Sequence, residues 1–298
     1  MKAQLRYFVK DPSAIVGVAM LLVIIVLALL APVLGQDPKV LDPSSRLQAP
    51  SAEFPLGTDT DGRDLWTMLL YGAQTSLLIA GACTVLAVII GFLIGTTAGY
   101  FRTFDAIMMR VIDGMMAFPN IILVLSLVGV LGRGIVPVIV GLTIVLIPPI
   151  ARVVRSAALG VKSTAMVESA RSIGAKDGWI LAKYVAPEST SVLIVQTTMG
   201  FAQTVLSIAA LSFLGVGLPP DVPSWGTTLS AAQQYMQTAW WMAVFPGVAI
   251  LVTVLALILI GDGLRDAMDP RSRRLLELSK LKRVARRAGK RDAMKASA

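Results

Sequence analysis

The apolar stretch TSLLIAGACTVLAVIIGFLIGTTA, residues 75–98, decides the class of fold to which this chain belongs. It contains no charged residue. A helix rises about 1.5 Å per residue, so roughly 20 apolar residues cross the ~30 Å hydrocarbon layer of a bilayer. The stretch therefore predicts a membrane-spanning helix, and lipid is its natural solvent.

Five further apolar stretches of similar character lie along the chain. Hydrophobic residues make up 55% of the sequence and charged residues only 15%, which is unlike a soluble domain. The sequence thus predicts an all-α integral membrane protein with six transmembrane helices. The first apolar stretch is longer than the ~7–15 residues typical of a secretory signal and predicts a retained anchor. The five stretches are 14–34, 107–131, 135–151, 189–216 and 241–260.

The basic residues predict the orientation of the spans, because lysine and arginine concentrate in cytoplasmic segments. Of the 27 basic residues, all but Lys39, Arg46, Arg63 and Arg133 fall in segments that this topology places inside. Both termini are therefore predicted to be cytoplasmic. The predicted division is a cytoplasmic N-terminus (1–13), the first span (14–34), an extracytoplasmic loop (35–74), a five-helix permease core (75–262) and a basic cytoplasmic tail (263–298).

The composition argues against catalysis by this chain. Histidine is absent and the one cysteine, Cys83, lies in an apolar run, which excludes His-based catalytic triads, the common zinc sites and a disulfide framework. No G-x-x-x-x-G-K-[ST] sequence occurs, so the chain lacks the loop that holds ATP. The group Asp262, Asp266 and Asp269 fits the end of the last span better than a membrane-embedded enzyme. We predict no enzyme activity, no bound cofactor and no metal.

The net charge of +9 raises the question of nucleic acid. No nucleic-acid-binding module is recognisable, and a basic tail after the last span suits a solvated segment near anionic lipid. We therefore predict membrane lipid and not nucleic acid as the partner of this charge.

The polar loop KSTAMVESARSIGAKDGWILAKYVAP, residues 162–187, separates the fourth and fifth spans. Thr164 can cap a first short helix, Glu168 suits the positive N-terminal dipole, and Gly174 is a good C-terminal stop. Asp177 can cap a second helix that begins near Gly178. Two short helices with a glycine corner follow, and from spacing alone they suit either docking on another protein or a structural amphipathic loop.

This loop resembles the EAA loop of bacterial ABC importer permeases. Glu168-Ser169-Ala170 stands for Glu-Ala-Ala, Gly174 for the glycine of the family's loop, and 185–187 with Pro187 for its Ile-Leu-Pro. The departures, Ser169 and the weaker Val-Ala before Pro187, are conservative. The resemblance implies a coupling helix in a cleft of an ATPase subunit, with Glu168 and Ala170 at the interface and Gly174 at the turn. Residues 162–187 are called the coupling loop below.

Three further segments narrow the resemblance to the dipeptide, oligopeptide and nickel permeases of the DppC/OppC type. They are Pro-Leu-Gly-Thr-Asp at 55–59 with Gly-Arg-Asp at 62–64 and Tyr-Gly-Ala at 71–73, Pro-Ser-Trp-Gly at 223–226, and Gly-Asp-Gly-Leu-Arg-Asp at 261–266 with Asp-Pro at 269–270. The resemblance implies the type I importer permease fold in the bacterial inner membrane. It implies as partners a second, DppB/OppB-like permease, two ATPases that bind ATP and Mg²⁺, and an extracytoplasmic peptide-binding protein.

Two sets of polar residues are candidate contacts. Asp59, Asp61 and Asp64 surround Gly62 and Arg63, but the twelfth position holds Leu70 instead of the glutamate that a calcium loop requires. They predict a turn that orients the next helix, with Arg63 paired to an aspartate, and the resemblance implies contact with an extracytoplasmic partner. The second set either forms hydrogen bonds between helices or lines a passage for peptides: Asn120, Gln196, Thr197, Gln203 and Thr204.

Three alternative functions remain. A nickel-chelate permease has the same predicted fold, although no carboxylate- or sulfur-rich path is apparent. An ion-coupled transporter or channel acting alone is disfavoured because the middle of every predicted span lacks a carboxylate. A membrane-embedded enzyme is the third.

Overall fold

The computed structural model describes residues 8–9 and 11–268, and this part of the chain is helical without a β-strand. A single bridge joins Thr58 to Asp64. The eleven α-helices that lie wholly in this part are α1 (Pro12–Leu29), α2 (Ala31–Leu34), α3 (Leu65–Tyr100), α4 (Arg102–Met116), α5 (Asn120–Leu131), α6 (Ile135–Lys162), α7 (Ala165–Ser172), α8 (Asp177–Ile180), α9 (Ala186–Phe213), α10 (Trp225–Ala232) and α11 (Trp241–Met268).

The centre of the fold is the pair α3 and α6, which pack along most of their length. Gly91, Gly95 and Gly99 recur every fourth residue on the face of α3 that meets α6. A Cβ on Gly95 would lie 2.6 Å from the carbonyl oxygen of Ala151, and one on Gly99 would lie 2.5 Å from the Cβ of Ala158. The missing side chains let two backbones approach closely, which is how helices associate in lipid without a hydrophobic driving force.

The remaining long helices surround this pair. α9 packs on α3, α6 and α11, and α1 lies along α11. Gly17 marks the α1–α11 contact, because its Cβ would lie 2.7 Å from the carbonyl oxygen of Ala256. Many large apolar side chains on the outer faces stay exposed, as expected of helices that meet lipid or another subunit.

α3 begins earlier than predicted. Residues 65–74 belong to the helix instead of the external loop, because the Asp64 carboxylate accepts hydrogen bonds from the backbone N–H groups of Trp66 (3.3 Å) and Thr67 (3.0 Å). The helix has 36 residues and is therefore about 54 Å long, which exceeds the ~30 Å hydrocarbon layer. The part of the loop outside the helix, residues 35–64, is called the external loop below.

The predicted third span, 107–131, is divided by a sharp bend, and its proline leads us to expect a kink there. α4 and α5 meet at an angle of 93°. Pro119 explains the break, because it has no N–H to continue the helix and its ring disfavours helical backbone at Phe118. α5 alone has 12 residues and is about 18 Å long, which is shorter than the ~30 Å hydrocarbon layer.

Five long apolar helices could span a membrane within the described residues, and the bent pair counted as one crossing gives the six that were predicted. The five are α1, α3, α6, the continuous helical stretch 177–213 that contains α9, and α11. α11 runs on to Met268. Of the predicted basic tail, residues 269–298 lie outside the described residues, as do 1–7 and 10 of the predicted cytoplasmic N-terminus.

Candidate functional site

The candidate functional surfaces lie at opposite ends of α3. The first residue of this helix, Leu65, follows the external loop, whereas its last residue, Tyr100, lies buried against the coupling loop. Because the helix is long enough to project beyond both faces of a bilayer, it connects the two surfaces directly.

The coupling loop folds as the two predicted short helices with a glycine corner. α7 carries Glu168 in its first turn, and Gly174 has a φ of +80°, a left-handed conformation that favours glycine. Thr164 occupies the predicted N-cap position, but its capping hydrogen bond was wrongly predicted. Its hydroxyl donates to the carbonyl oxygen of Val161 (2.7 Å) instead of accepting from α7.

The two faces of α7 differ in burial. Glu168 and Ser169 are exposed, as a docking surface requires, whereas Val167 and Ala170 are buried against this chain's own residues. The predicted place of Ala170 at an interface is therefore contradicted. Its position three residues after Val167 puts it on the inward face of the helix, where it packs in an apolar cluster with Ile180.

The outward face of α7 carries an apolar strip that the sequence analysis missed. Met166 is 51% exposed and Ile173 is 83% exposed. Together with Ser169 they recur at i, i+3 and i+7, which is one stripe of a helix. This spacing could have been read from the sequence. An apolar stripe beside an exposed carboxylate has the character of a docking surface.

Asp177 does not cap the second helix as predicted. Lys176 is the N-cap residue of α8, and the Asp177 carboxylate accepts a hydrogen bond from the hydroxyl of Tyr100. The backbone oxygen of Tyr100 accepts a second bond from Lys162 Nζ at 2.6 Å. The last residue of α3 is thereby bonded to the coupling loop on both sides of α7, at Lys162 before it and at Asp177 after it.

Pro187 lies within a helix and does not end the loop. The stretch from Asp177 to Phe213 is continuously helical, with a π-helical turn at Leu181–Val185 just before the proline. A proline cannot donate to the carbonyl four residues earlier and its ring crowds that group, so the wider turn accommodates it. The coupling loop is therefore joined rigidly to α9.

Two ion pairs hold α4 against the adjoining end of α6. The Arg155 guanidinium donates to both oxygens of Asp105, with Nη2 to Oδ2 at 2.7 Å, and Arg152 Nη2 lies 2.5 Å from Asp113 Oδ1. These pairs could not have been predicted from local sequence, because each arginine lies far along the chain from its aspartate, 39 residues in one pair and 50 in the other.

The external loop contains the predicted turn. Asp59 is 3% exposed, and its carboxylate accepts from the backbone N–H groups of Asp61 (2.8 Å) and Arg63 (2.9 Å). Arg63 pairs with both aspartates, with Nε to Asp59 at 2.8 Å and Nη2 to Asp61 at 2.7 Å. Since Asp59 and the helix cap Asp64 serve internal bonds, the exposed Asp61 is the aspartate best placed to meet a partner.

A second turn of the external loop lies beside the first. The carboxylate of Asp42 accepts hydrogen bonds from the side chains of Ser44 and Ser45, which lowers the pKa of this group from its ordinary value. Gly62 has a φ of +76°, and a Cβ on it would overlap the backbone oxygen of Asp42. The glycine therefore allows the two turns to touch.

Two buried tryptophans attach the external loop and the start of α3 to the neighbouring helices. Trp241 Nε1 donates to the backbone oxygen of Thr58 (3.1 Å), and Trp225 Nε1 donates to that of Leu69 (3.1 Å). A cavity of about 290 Å³ opens between the external loop, Arg133 and the segment that includes α10. Trp225 of the Pro-Ser-Trp-Gly segment thus acts in packing.

The predicted path residues on α9 fall into two groups. Thr197 and Thr204 donate to their own helix, to the carbonyl oxygens of Leu193 and Gly200 (2.6 Å each), so the predicted interhelical bonds are wrong for them. Gln196 is half-buried and Gln203 is exposed. These glutamines lie seven residues apart on one stripe of α9 and stay candidates for the path.

Asn120 is the first residue of α5 and is exposed beside the bend.

No group of three or more Asp, Glu or Cys side chains that could hold a metal ion occurs within the described part of the chain. The acidic turn at residues 59–64 is accordingly built by Arg63 and backbone donors.

Residues 65–274 match the family described as the inner membrane component of binding-protein-dependent transport systems, and residues 1–50 match the N-terminal transmembrane domain of oligopeptide transport permease C. The first match covers most of the chain, from the start of α3 onward. The chain belongs to this family of ABC importer permeases. It is therefore a membrane permease component located in the inner membrane.

Two relatives extend the comparison along most of the chain. A protein of Brucella abortus, provisionally named a peptide transport system permease, is 43% identical over 89% of this permease and 90% of its own length. The dipeptide transport system permease protein DppC of Alkalihalophilus pseudofirmus is 39% identical over 88% of this chain and 87% of its own.

The fold has a counterpart among solved structures. An inward-facing form of the MetNI methionine ABC transporter aligns with a TM-score of 0.55 over 68% of this permease and 96% of that chain, at 22% identity. At this identity the likeness concerns the fold alone, and it confirms the type I importer permease architecture.

Proposed function

We propose that this permease forms half of the translocation pore of an ATP-driven importer of di- or oligopeptides. The substrate class is supported by the relatives named for dipeptide and peptide transport at 39–43% identity over nearly the whole chain. No observation on the described residues favours a nickel-chelate path.

The partners follow from the division of labour in such a system. This chain has no nucleotide-binding loop, so we propose that two separate ATPases bind ATP and Mg²⁺. A second, DppB/OppB-like permease supplies the other half of the pore, and an extracytoplasmic peptide-binding protein delivers the peptide. In this arrangement the chain catalyses no bond change.

The observation that carries the mechanism is the exposed face of α7. Met166 and Ile173 present apolar surface that this chain does not cover, with Glu168 exposed beside them. We propose that this face docks on the ATPase on the cytoplasmic side, where both termini also lie. Closure of the ATPases then moves the coupling loop, and α6 and α9, to which it is joined, open the pore toward the binding protein.

The opposite end of the chain receives the peptide. The external loop presents Asp61 outward beside the turn made with Arg63, and we propose that it contacts the binding protein or the partner permease. Gln196 and Gln203 on α9 are proposed to line the path.

The test is ATP-dependent peptide uptake by vesicles that contain the complete complex. Glu168→Lys reverses the charge beside the docking strip and should lower uptake about tenfold, whereas charge reversal in a first helical turn costs the helix itself only ~0.3–1 kcal/mol. The matched control is Glu188→Lys, which reverses an exposed charge in the first turn of α9, outside the coupling loop.

A second variant tests the glycine corner. Gly174→Val places a β-branched residue at a φ of +80° and should lower uptake, whereas Gly174→Asn should retain it because asparagine tolerates this conformation. Gly178→Val is the control, since a Cβ there also meets nothing within 4 Å but its φ is ordinary. Normal uptake in both Glu168→Lys and Gly174→Val complexes would reject the coupling role.

A further inference from the structure

Tyr100 occupies an unusual position at the end of α3. It is only 3% exposed although it is the last residue of the helix. Its ring packs in an apolar cluster that also contains Val167 and Ala170 of α7 and Ile180 of α8. The side chain thus lies beneath the coupling loop, between the two short helices.

Four contacts bind Tyr100 to residues of the coupling loop. Its hydroxyl donates to Asp177, and its backbone oxygen accepts from Lys162 Nζ at 2.6 Å. The Lys162 ammonium and the Arg171 guanidinium each lie 5.4 Å from the centre of the ring, within the range of cation–π attraction. One side chain therefore contacts the end of α6, the end of α7 and the start of α8.

These contacts supply a connection that the chain itself does not provide. The backbone of the coupling loop joins α6 to α9. The end of α3, by contrast, is far from the loop along the chain, because Tyr100 precedes Lys162 by 62 residues and Asp177 by 77. A push on α7 reaches α6 and α9 through the backbone. It reaches the cytoplasmic end of α3 through Tyr100 and through the close packing of Gly99 on Ala158.

We infer that Tyr100 is a positioning residue that makes α3 move together with the coupling loop, so that motion imposed at α7 also reaches the external loop at the far end of α3. This inference rests on the proposed function of the coupling loop. The hydroxyl bond to Asp177 fixes the position of α3 relative to the coupling loop, and the two cations near the ring help to hold it.

The experiment uses the complete complex in vesicles and measures ATP hydrolysed and peptide imported in the same sample. Tyr100→Phe keeps the ring but removes the bond to Asp177, and Asp177→Ala removes the same bond from an exposed position. We expect each to raise the ATP consumed per peptide roughly three- to tenfold, the effect on an equilibrium of losing one hydrogen bond of ordinary net strength, because the Asp177 carboxylate is exposed to solvent. The double variant should match the single variants, because all three lose one bond.

Tyr184→Phe is the matched control. This tyrosine packs against the same apolar cluster, and its hydroxyl has no hydrogen-bond partner among the described residues. Its ratio of ATP to peptide should equal that of the unaltered complex. Unaltered ratios in both Tyr100→Phe and Asp177→Ala, or an equal rise in Tyr184→Phe, would overturn the inference.

A distance measurement separates this inference from the proposed function. Spin labels on cysteines at the exposed positions 93 on α3 and 172 on α7 report how firmly the two move together. Tyr100→Phe should broaden the distance distribution, and Tyr184→Phe should not. An unchanged distribution in Tyr100→Phe overturns the inference whether or not the complex imports peptides, whereas absent uptake by the unaltered complex overturns only the proposed function.

Discussion

At the scale of single residues, Asp59 and Asp61 of the external loop have different roles although they are only two positions apart. Asp59 is buried and accepts from two backbone N–H groups and Arg63, whereas the Asp61 side chain is 50% exposed and its bond to Arg63 lies in solvent. Removing a buried partner leaves donors unpaired, but an exposed ion pair contributes little.

We therefore expect Asp59→Ala to lower the free energy of unfolding by roughly 2–4 kcal/mol, because it leaves two backbone donors unpaired and removes the buried one of the two carboxylates that pair with Arg63. Asp61→Ala should cost less than about 1 kcal/mol. The apparent melting temperatures of the purified variants in detergent measure both effects. Equal melting temperatures for the two variants would show that the burial of Asp59 has no energetic consequence.

Local sequence predicted the residues of the coupling loop better than their contacts. Glu168 and Gly174 have the predicted places because helix dipoles and left-handed turns depend on a few neighbouring residues. Asp177 could not be placed from sequence, since its partner Tyr100 is 77 residues away. The burial of Ala170 was readable, because it lies three residues after the apolar Val167.

At the scale of elements, the glycine stripe of α3 decides how closely this helix approaches α6. Gly95 and Gly81 lie in the same helix, but only the former faces a neighbouring backbone. A Cβ on Gly95 would lie 2.6 Å from an Ala151 oxygen, whereas one on Gly81 meets only Phe201 at 3.8 Å. Replacing each of these glycines by alanine adds the same methyl group, at Gly95 against a neighbouring backbone and at Gly81 in nearly open space, so the two variants can be compared directly.

We expect Gly95→Ala to destabilise the permease by about 1–3 kcal/mol, since the backbones must separate to admit the methyl group. Gly81→Ala should be neutral or stabilising by up to ~1 kcal/mol, because alanine is the better helix former. Thermal unfolding of the assembled, detergent-purified variants measures the difference. A fall in stability for Gly81→Ala as large as that for Gly95→Ala would contradict this account of the helix pair.

The existence of the helices and of kinks at prolines was predictable, whereas the exact helix ends and the size of the bend were not. The spans are visible because a run of about 20 apolar residues is a property of composition. The start of α3 depends on the fold of the external loop, which brings Asp64 into capping position, and the 93° bend depends on the local effect of Pro119. The glycine stripe at every fourth residue was present in the sequence and could have predicted the α3–α6 pair.

At the scale of the whole molecule, the two candidate surfaces lie at opposite ends of a helix about 54 Å long. If α3 crosses the bilayer once, the external loop and the coupling loop must face different compartments. The distribution of lysine and arginine predicts that the coupling loop lies in the cytoplasm. With this orientation we expect the sharp bend before α5 to lay α4 along the cytoplasmic surface, beside the same end of α6.

Labelling of single cysteines with a membrane-impermeant maleimide tests this topology. Cys83 is fully buried, so it should contribute little background. Glu53→Cys should react in intact spheroplasts, whereas Thr103→Cys on α4 and Ser172→Cys on α7 should react only after lysis; all three positions are exposed. Labelling at 172 before lysis would invert the topology, because an α7 that faces outward could not meet an ATPase that uses cytoplasmic ATP. Labelling at 103 alone before lysis would instead separate α4 from the coupling end and contradict its ion pairs with α6.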